Sequence, residues 1–135
     1  MNREIKFRAW LKDEKRMLND ISSIKLDIKC IYYDNNDLFS YERKSFDEIE
    51  LMQYTGLKDK NGVKIFEGDI VNICGFINRE VVEYDNYYVG YVLKRYDNNG
   101  KVIYVTPLTE YSSIVAPKLE VIGNIYENPE LLEEK

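Results

Sequence analysis

The stretch Ile49–Ile73, IELMQYTGLKDKNGVKIFEGDIVNI, decides the fold class. Ile49 to Tyr54 is a strand-like run, followed by Thr55-Gly56-Leu57. Lys58-Asp59-Lys60-Asn61-Gly62 is then a strong turn, because Asn-Gly suits a tight hairpin that needs positive φ. Ile65 and Phe66 restore the apolar character. Glu67-Gly68-Asp69 precedes the run Ile70-Val71-Asn72-Ile73-Cys74 and reads as a bend that redirects the chain into a new strand.

The flanking sequence repeats this grammar. Toward the N-terminus, Ile5, Phe7 and Ala9 alternate with Lys6, Arg8 and Trp10, a period-two strand signal. Lys12 to Arg16 is a charged turn, and Met17 and Leu18 open a return strand. Ile24, Leu26, Ile28, Cys30 and Tyr32 alternate with Lys25, Asp27 and Lys29, which predicts one strand with one buried face. Asp34-Asn35-Asn36-Asp37 is a turn cluster, with a short strand expected over Leu38 to Tyr41. Ser45 and Glu48 have the spacing of a capping box on a short helical turn.

Toward the C-terminus, Glu80–Tyr84, Tyr87–Arg95, Lys101–Thr106 and Leu119–Tyr126 read as strands. Asp97-Asn98-Asn99-Gly100 is a second hairpin turn, and Pro107 and Pro117 bound a loop. Asn128-Pro129-Glu130 reads as a helix start, with Asn capping and Pro at the first helical position, ahead of the acidic tail Glu133-Glu134-Lys135. The fold class is therefore mainly β. Residues 49–135 hold the number of strands an SH3-like barrel needs, with a short C-terminal helical turn. Residues 1–48 are expected to be a β-containing extension packing on that barrel.

Composition narrows the chemistry. Apolar residues make up 44% and charged residues 32%, the balance of a globular chain. The 12 tyrosines suit half-buried sheet surfaces, a tyrosine-lined pocket or a subunit interface. Met1–Lys64 holds 13 basic and 12 acidic residues, whereas Ile65–Lys135 holds 6 and 12. The acidic second half argues against a generic phosphate-backbone binder, which needs a concentrated basic face. Arg3, Lys6 and Arg8 read as a solvated strand edge. Cys30 and Cys74 form no CxxC pair and are expected to be reduced thiols in a cytoplasm. Neither a secretory signal nor a membrane span is expected.

With no histidine, Ser-His and Cys-His triads and the commonest metal ligand are excluded. Two cysteines cannot make a structural zinc site, and the glycines form no P-loop or dinucleotide fingerprint. Glu67 and Asp69, with Asp59 upstream, could hold magnesium or do acid/base work. The turn reading is stronger: Asp59 stabilises its turn, and Glu67-Gly68-Asp69 shapes the approach to a strand. Thr55-Gly56 could present a hydroxyl and N–H groups to a phosphate, with Lys58 and Lys60 adding charge; against this stands a rigid hairpin scaffold. Trp10 is expected to fill the seam between extension and barrel, or to stand at a binding site. Gly62, Gly68, Asp69 and Gly123 are structural motif positions.

Three segments together closely resemble the YopX family of phage and prophage proteins: Ile5–Trp10, Met52–Val71 and Val121–Leu132. The resemblance spans essentially the whole chain in the expected order. It implies an accessory gene product of uncharacterised activity, with an SH3-like core, acting in the bacterial cytoplasm. No cofactor, metal or catalytic residue is carried over with it. Three functions follow. The first is a non-enzymatic binding or interaction module whose partner is a host protein or a second copy. The second is a small-molecule or nucleotide-sequestering protein with a pocket at an oligomer interface. The third is a nucleic-acid binder or metal-dependent nuclease. A pocket containing Tyr and Arg would favour the second, and an exposed apolar patch the first.

Overall fold

The computed structural model describes residues 3–35, 40–73, 75–108 and 118–133. Among the described residues the chain is mainly β with a curled, half-barrel sheet, and the helical elements are short 3-10 turns. It divides into two compact units. One is Ile5–Gln53; the other is Met1–Glu4 together with Tyr54–Lys135.

The N-terminal unit is built from two small antiparallel sheets. Strand β1 (Phe7–Leu11) lies between β2 (Arg16–Leu18) and the first half of β6 (Ile49–Lys58). Strand β4 (Cys30–Asp34) lies between β3 (Ser23–Lys25) and β5 (Tyr41–Ser45). Ala9, Leu11, Leu18, Ile31, Tyr33 and Ile49 form the core, with Ile21, Ile24, Phe46 and Leu51 packed against it. The Ser45–Glu48 expectation holds: the Glu48 carboxylate accepts the Ser45 amide and hydroxyl at 3.0 and 3.1 Å, closing the 3-10 turn Phe46–Glu48.

Two expectations in this unit are corrected. The alternation from Ile24 to Tyr32 does not form one strand. It breaks at a tight turn over residues 26–29, where Lys29 has φ +53°, leaving Leu26 75% and Ile28 54% exposed. The Asp27 carboxylate accepts the Ile28 amide in that turn, and Lys25 pairs with Cys30 across it. Arg8 is not on a solvated edge. It sits on a strand paired on both sides and is buried. The Asn36 and Asp37 half of the turn cluster, and the strand expected over Leu38–Tyr41 as far as Phe39, lie outside the described residues.

In the C-terminal unit the second half of β6 pairs with β7 (Lys64–Phe66). Five antiparallel strands follow: β8 (Asp69–Ile73), β9 (Glu80–Asp85), β10 (Gly90–Tyr96), β11 (Val102–Pro107) and β12 (Leu119–Asn124), in the order β11-β10-β9-β8-β12. Ile65, Val71, Val82, Leu93, Leu108 and Leu119 make the core. Strands β7, β8, β9, β10 and β12 each contribute one of these side chains, and Leu108 follows the end of β11.

Both hairpin turns are present and share a mechanism. Each has the pattern Asp-x-Asn-Gly. The Asp59 carboxylate accepts the amides of Asn61 and Val63, and the Asp97 carboxylate accepts those of Asn99 and Lys101. Gly62 and Gly100 take φ +81° and +79°, the left-handed region that favours glycine. The strand expected to begin at Tyr87 starts at Gly90 instead, because the Asp85 carboxylate gathers the Tyr87 and Tyr88 amides into a turn. Asn128 does not cap the 3-10 turn Pro129–Leu132 with its side chain, which instead accepts the Asn124 amide at 3.1 Å. Cys74, most of the loop ahead of Pro117, Pro117 itself and the last two tail residues lie outside the described residues.

Candidate functional site

The singled-out residues of residues 54–71 are committed to building the strand junction. The Thr55 hydroxyl donates to the Ile65 carbonyl at 2.7 Å and accepts the Leu57 amide at 3.2 Å, around an irregularity where Gly56 has φ +92°. That hydroxyl therefore stabilises a bulge. Lys58 is exposed and pairs in register with Lys64. The buried Asp69 carboxylate accepts the Phe66 amide at 2.7 Å, and Gly68 has φ +84°, so the pair forms the bend ahead of β8. The Gly68 amide donates to the Val82 carbonyl, and its carbonyl accepts the Ile125 amide. Gly123 lies where a β-carbon would come within 2.6 Å of Asn128 Oδ1. Trp10, in the N-terminal unit, is half-buried on β1 opposite Met17 and Glu50. Among the described residues no group of three or more His, Cys, Asp or Glu is placed to hold a metal ion.

A second environment lies mainly in residues 77–103, outside the sequence motifs except for Leu131 and Leu132. A cavity of about 290 Å³ is lined by Ile77, Asn78 and Arg79, by Arg95 and Tyr96 at the end of β10, by Ile103 of β11, and by Leu131 and Leu132. The local fold holds its walls. The Asn72 carboxamide oxygen accepts the Asn78 and Arg79 amides at 3.1 and 2.9 Å, fixing the segment that enters β9. The Arg95 guanidinium lies 4.9 Å from the centre of the Tyr104 ring and 3.6 Å from the Glu80 carboxylate.

Glu80 is only 2% exposed, because it opens an inner strand paired with β8 on one side and β10 on the other. Burial pushes its carboxyl above the ordinary glutamate range, and the Arg95 charge only partly opposes that. Glu80 Oε2, Arg95 Nε and Asn78 Oδ1 are buried and have no hydrogen-bond partner among the described residues. Buried polar groups are nearly always satisfied, so three such atoms in one neighbourhood mark it as unusual.

A second charged group adjoins it. The Tyr96 hydroxyl donates to Glu83. Lys94 lies 3.2 Å from Asp85 and 3.6 Å from Glu83. Burial and then the Glu83 carboxylate hold the Tyr96 hydroxyl far above the ordinary tyrosine range, so it stays a donor. For Lys94, burial works against its charge, but the two carboxylates outweigh it and raise its pKa.

Sequence reasoning missed Asn78, Arg79, Glu80 and Arg95. An Arg-Glu pair ahead of Val81-Val82 reads as an ordinary strand opening. Only the pairing of β9 with two neighbours buries the glutamate.

Comparison with known proteins agrees with this architecture. A family model described as YopX protein matches residues 6–133. The chain belongs to the YopX family. None of the curated proteins matches it. Among solved structures, the crystal structure of protein EF1440 from Enterococcus faecalis is similar, with 28% sequence identity and a TM-score of 0.65. The match covers 98% of this chain and 100% of that one. The cavity of this YopX-family chain is formed within its C-terminal unit, from residues of a single copy.

Proposed function

We propose that this YopX-family chain is a non-enzymatic interaction module, a phage or prophage accessory protein acting in the bacterial cytoplasm. It takes an extended segment of a partner protein along β11. The observation that carries this reading is the exposure of that strand. β11 ends the five-strand order, and Val102, Ile103 and Tyr104 are 38%, 50% and 60% exposed in succession. Successive strand side chains point to opposite faces, so side chains on both faces are partly exposed, and among the described residues β10 is the one strand paired with β11. End strands are ordinarily guarded by charge. β5, an end strand of the N-terminal unit, follows that rule with Glu42, Arg43 and Lys44. Val102 to Thr106 carries no charge. Such an edge is suited to strand addition, in which main-chain hydrogen bonds give affinity and alternate side chains give selectivity. The buried free thiol of Cys30 is compatible with a reducing compartment.

The test is hydrogen–deuterium exchange of the full chain against a panel of extended, β-branched peptides, with sedimentation to detect self-association. Slowed exchange confined to residues 102–107, weakened by Val102→Lys, supports the reading. Unchanged exchange with every peptide and a strictly monomeric chain would overturn it.

A further inference from the structure

We propose that copies of this chain associate head to tail: the tyrosine-bearing tip of the β9–β10 hairpin in one copy enters the cavity at the opposite end of that hairpin in the next. The tip comes first. Residues 86–89 turn the chain between β9 and β10. Tyr87 and Val89 are 87% and 75% exposed there, with Tyr84 and Tyr88 exposed beside them. The chain builds its β6–β7 and β10–β11 turns differently, from Asp-x-Asn-Gly with glycine at the positive φ. In the β9–β10 turn Val89 holds φ +51°, a conformation that β-branched residues avoid. The Asp85 carboxylate fixes this turn by accepting the Tyr87 and Tyr88 amides at 2.8 and 3.3 Å. The Tyr87 and Tyr88 rings meet edge to face, with centres 5.1 Å apart. A local rule broken with no local gain marks a functional position. A convex tip encloses nothing, so its partner must supply the concavity.

The other end of the hairpin has one. Ile77, Ile103, Leu131 and Leu132 are among the walls of the cavity, and Ile77 is 80% exposed. Its size of about 290 Å³ lies near the lower end for small-ligand pockets, which suits one aromatic side chain rather than a helix. Arg79 and Arg95 also line it, two of the six basic residues between Ile65 and Lys135. Residues 86–90 carry no charge, so the tip adds nothing to the repulsion between two copies that each have a net charge of −5. Arginine and a tyrosine ring are attracted to each other, and Arg95 already lies 4.9 Å from the centre of the Tyr104 ring.

Tip and cavity cannot meet within one copy. Asp85 pairs with Gly90 at the tip, whereas Arg95 and Tyr96 end β10 at the cavity. The six residues of β9 between them span about 20 Å at the rise of a strand. The contact therefore joins two different surfaces of two copies, and it closes as a ring or continues as an open chain. A different protein would use the tip and leave the cavity, and a small molecule would fill the cavity and leave the tip. A second copy uses both. This contact is separate from strand addition along β11 and shares only Ile103 with it.

The experiment is sedimentation velocity of the full chain from micromolar to millimolar concentration, with circular dichroism to verify folding. The parent should associate as concentration rises. Tyr87→Ser at the tip and Ile77→Lys at the cavity, both at exposed positions, should each weaken association at least about tenfold. Val102→Lys on β11 should associate like the parent. Mixing the two weakened variants is decisive. Tyr87→Ser keeps an intact cavity and Ile77→Lys an intact tip, so the mixture should form one-to-one pairs and nothing larger. A parent that stays monomeric at millimolar concentration overturns the proposal. So does parent-like association of either weakened variant, a mixture that forms no pairs, or loss of association in Val102→Lys, which would move the contact to β11.

Discussion

Asp59 accepts the amide of Val121 at 2.9 Å, so a carboxylate in the β6–β7 turn clamps the strand β12 that lies 62 residues further along the chain. The same side chain also accepts the Asn61 and Val63 amides, and it is 5% exposed. The Lys60 amide adds a bond to the Leu119 carbonyl beside it. We expect Asp59→Ala to lower stability by about 3 kcal/mol, because three amides lose a charged acceptor and at least one of them is drawn away from water. Asp97→Ala, in the turn of the same pattern, lacks the long-range bond and should cost about 1 kcal/mol. Urea denaturation of the two variants decides this, and equal losses would show that the clamp to β12 contributes nothing.

Gly62 and Gly68 occupy φ +81° and +84°, where a β-branched residue is strained. Gly62→Val and Gly68→Val should each lose about 1–3 kcal/mol and reduce folding yield. Wild-type thermal stability in both would refute the assignment of these turns.

Gly123 is different in cause. A β-carbon there would meet Asn128 Oδ1, Asn128 Cγ and Leu131 Cδ1 at 2.6, 2.8 and 2.9 Å. Gly123→Ala should therefore displace the Asn124–Asn128 hydrogen bond and loosen the terminal 3-10 turn. Comparison of amide exchange at Asn124 in parent and variant tests this. Unchanged protection would mean that the turn absorbs a methyl group without moving.

Glu80 supplies a pH dependence of definite sign. Its carboxyl is held above the ordinary range by burial, so the folded state binds more protons than the unfolded state between the unfolded and folded pKa values. Stability from this group is greatest below about pH 4.3 and falls as pH rises through that window. Glu80→Gln should flatten that part of the curve. Denaturation midpoints of parent and variant across the acid range should therefore diverge with rising pH, and parallel curves would remove Glu80 as the source.

Cys30 is fully buried and free in β4. In a Cys74→Ser background, we expect no reaction with a thiol reagent in the native state and one reactive thiol after denaturation. A fast native reaction would show that β4 opens readily, and no thiol at all would show a covalent modification.

The mainly β class, the two Asp-x-Asn-Gly hairpins and the Ser45–Glu48 turn were legible in the sequence, because each is set by neighbours a few residues apart. Turn amides find a carboxylate two or four residues away, and glycine relieves the positive φ on the spot. Alternation alone misled at Leu26 and Ile28, since a period-two pattern does not reveal a tight turn within it. Burial of Arg8 and Glu80, the Asp59–Val121 clamp and the cavity around Arg95 were decided only by tertiary structure. Each depends on which strands become inner strands and which distant segments meet. That follows from the pairing of the whole sheet, not from any local run of residues.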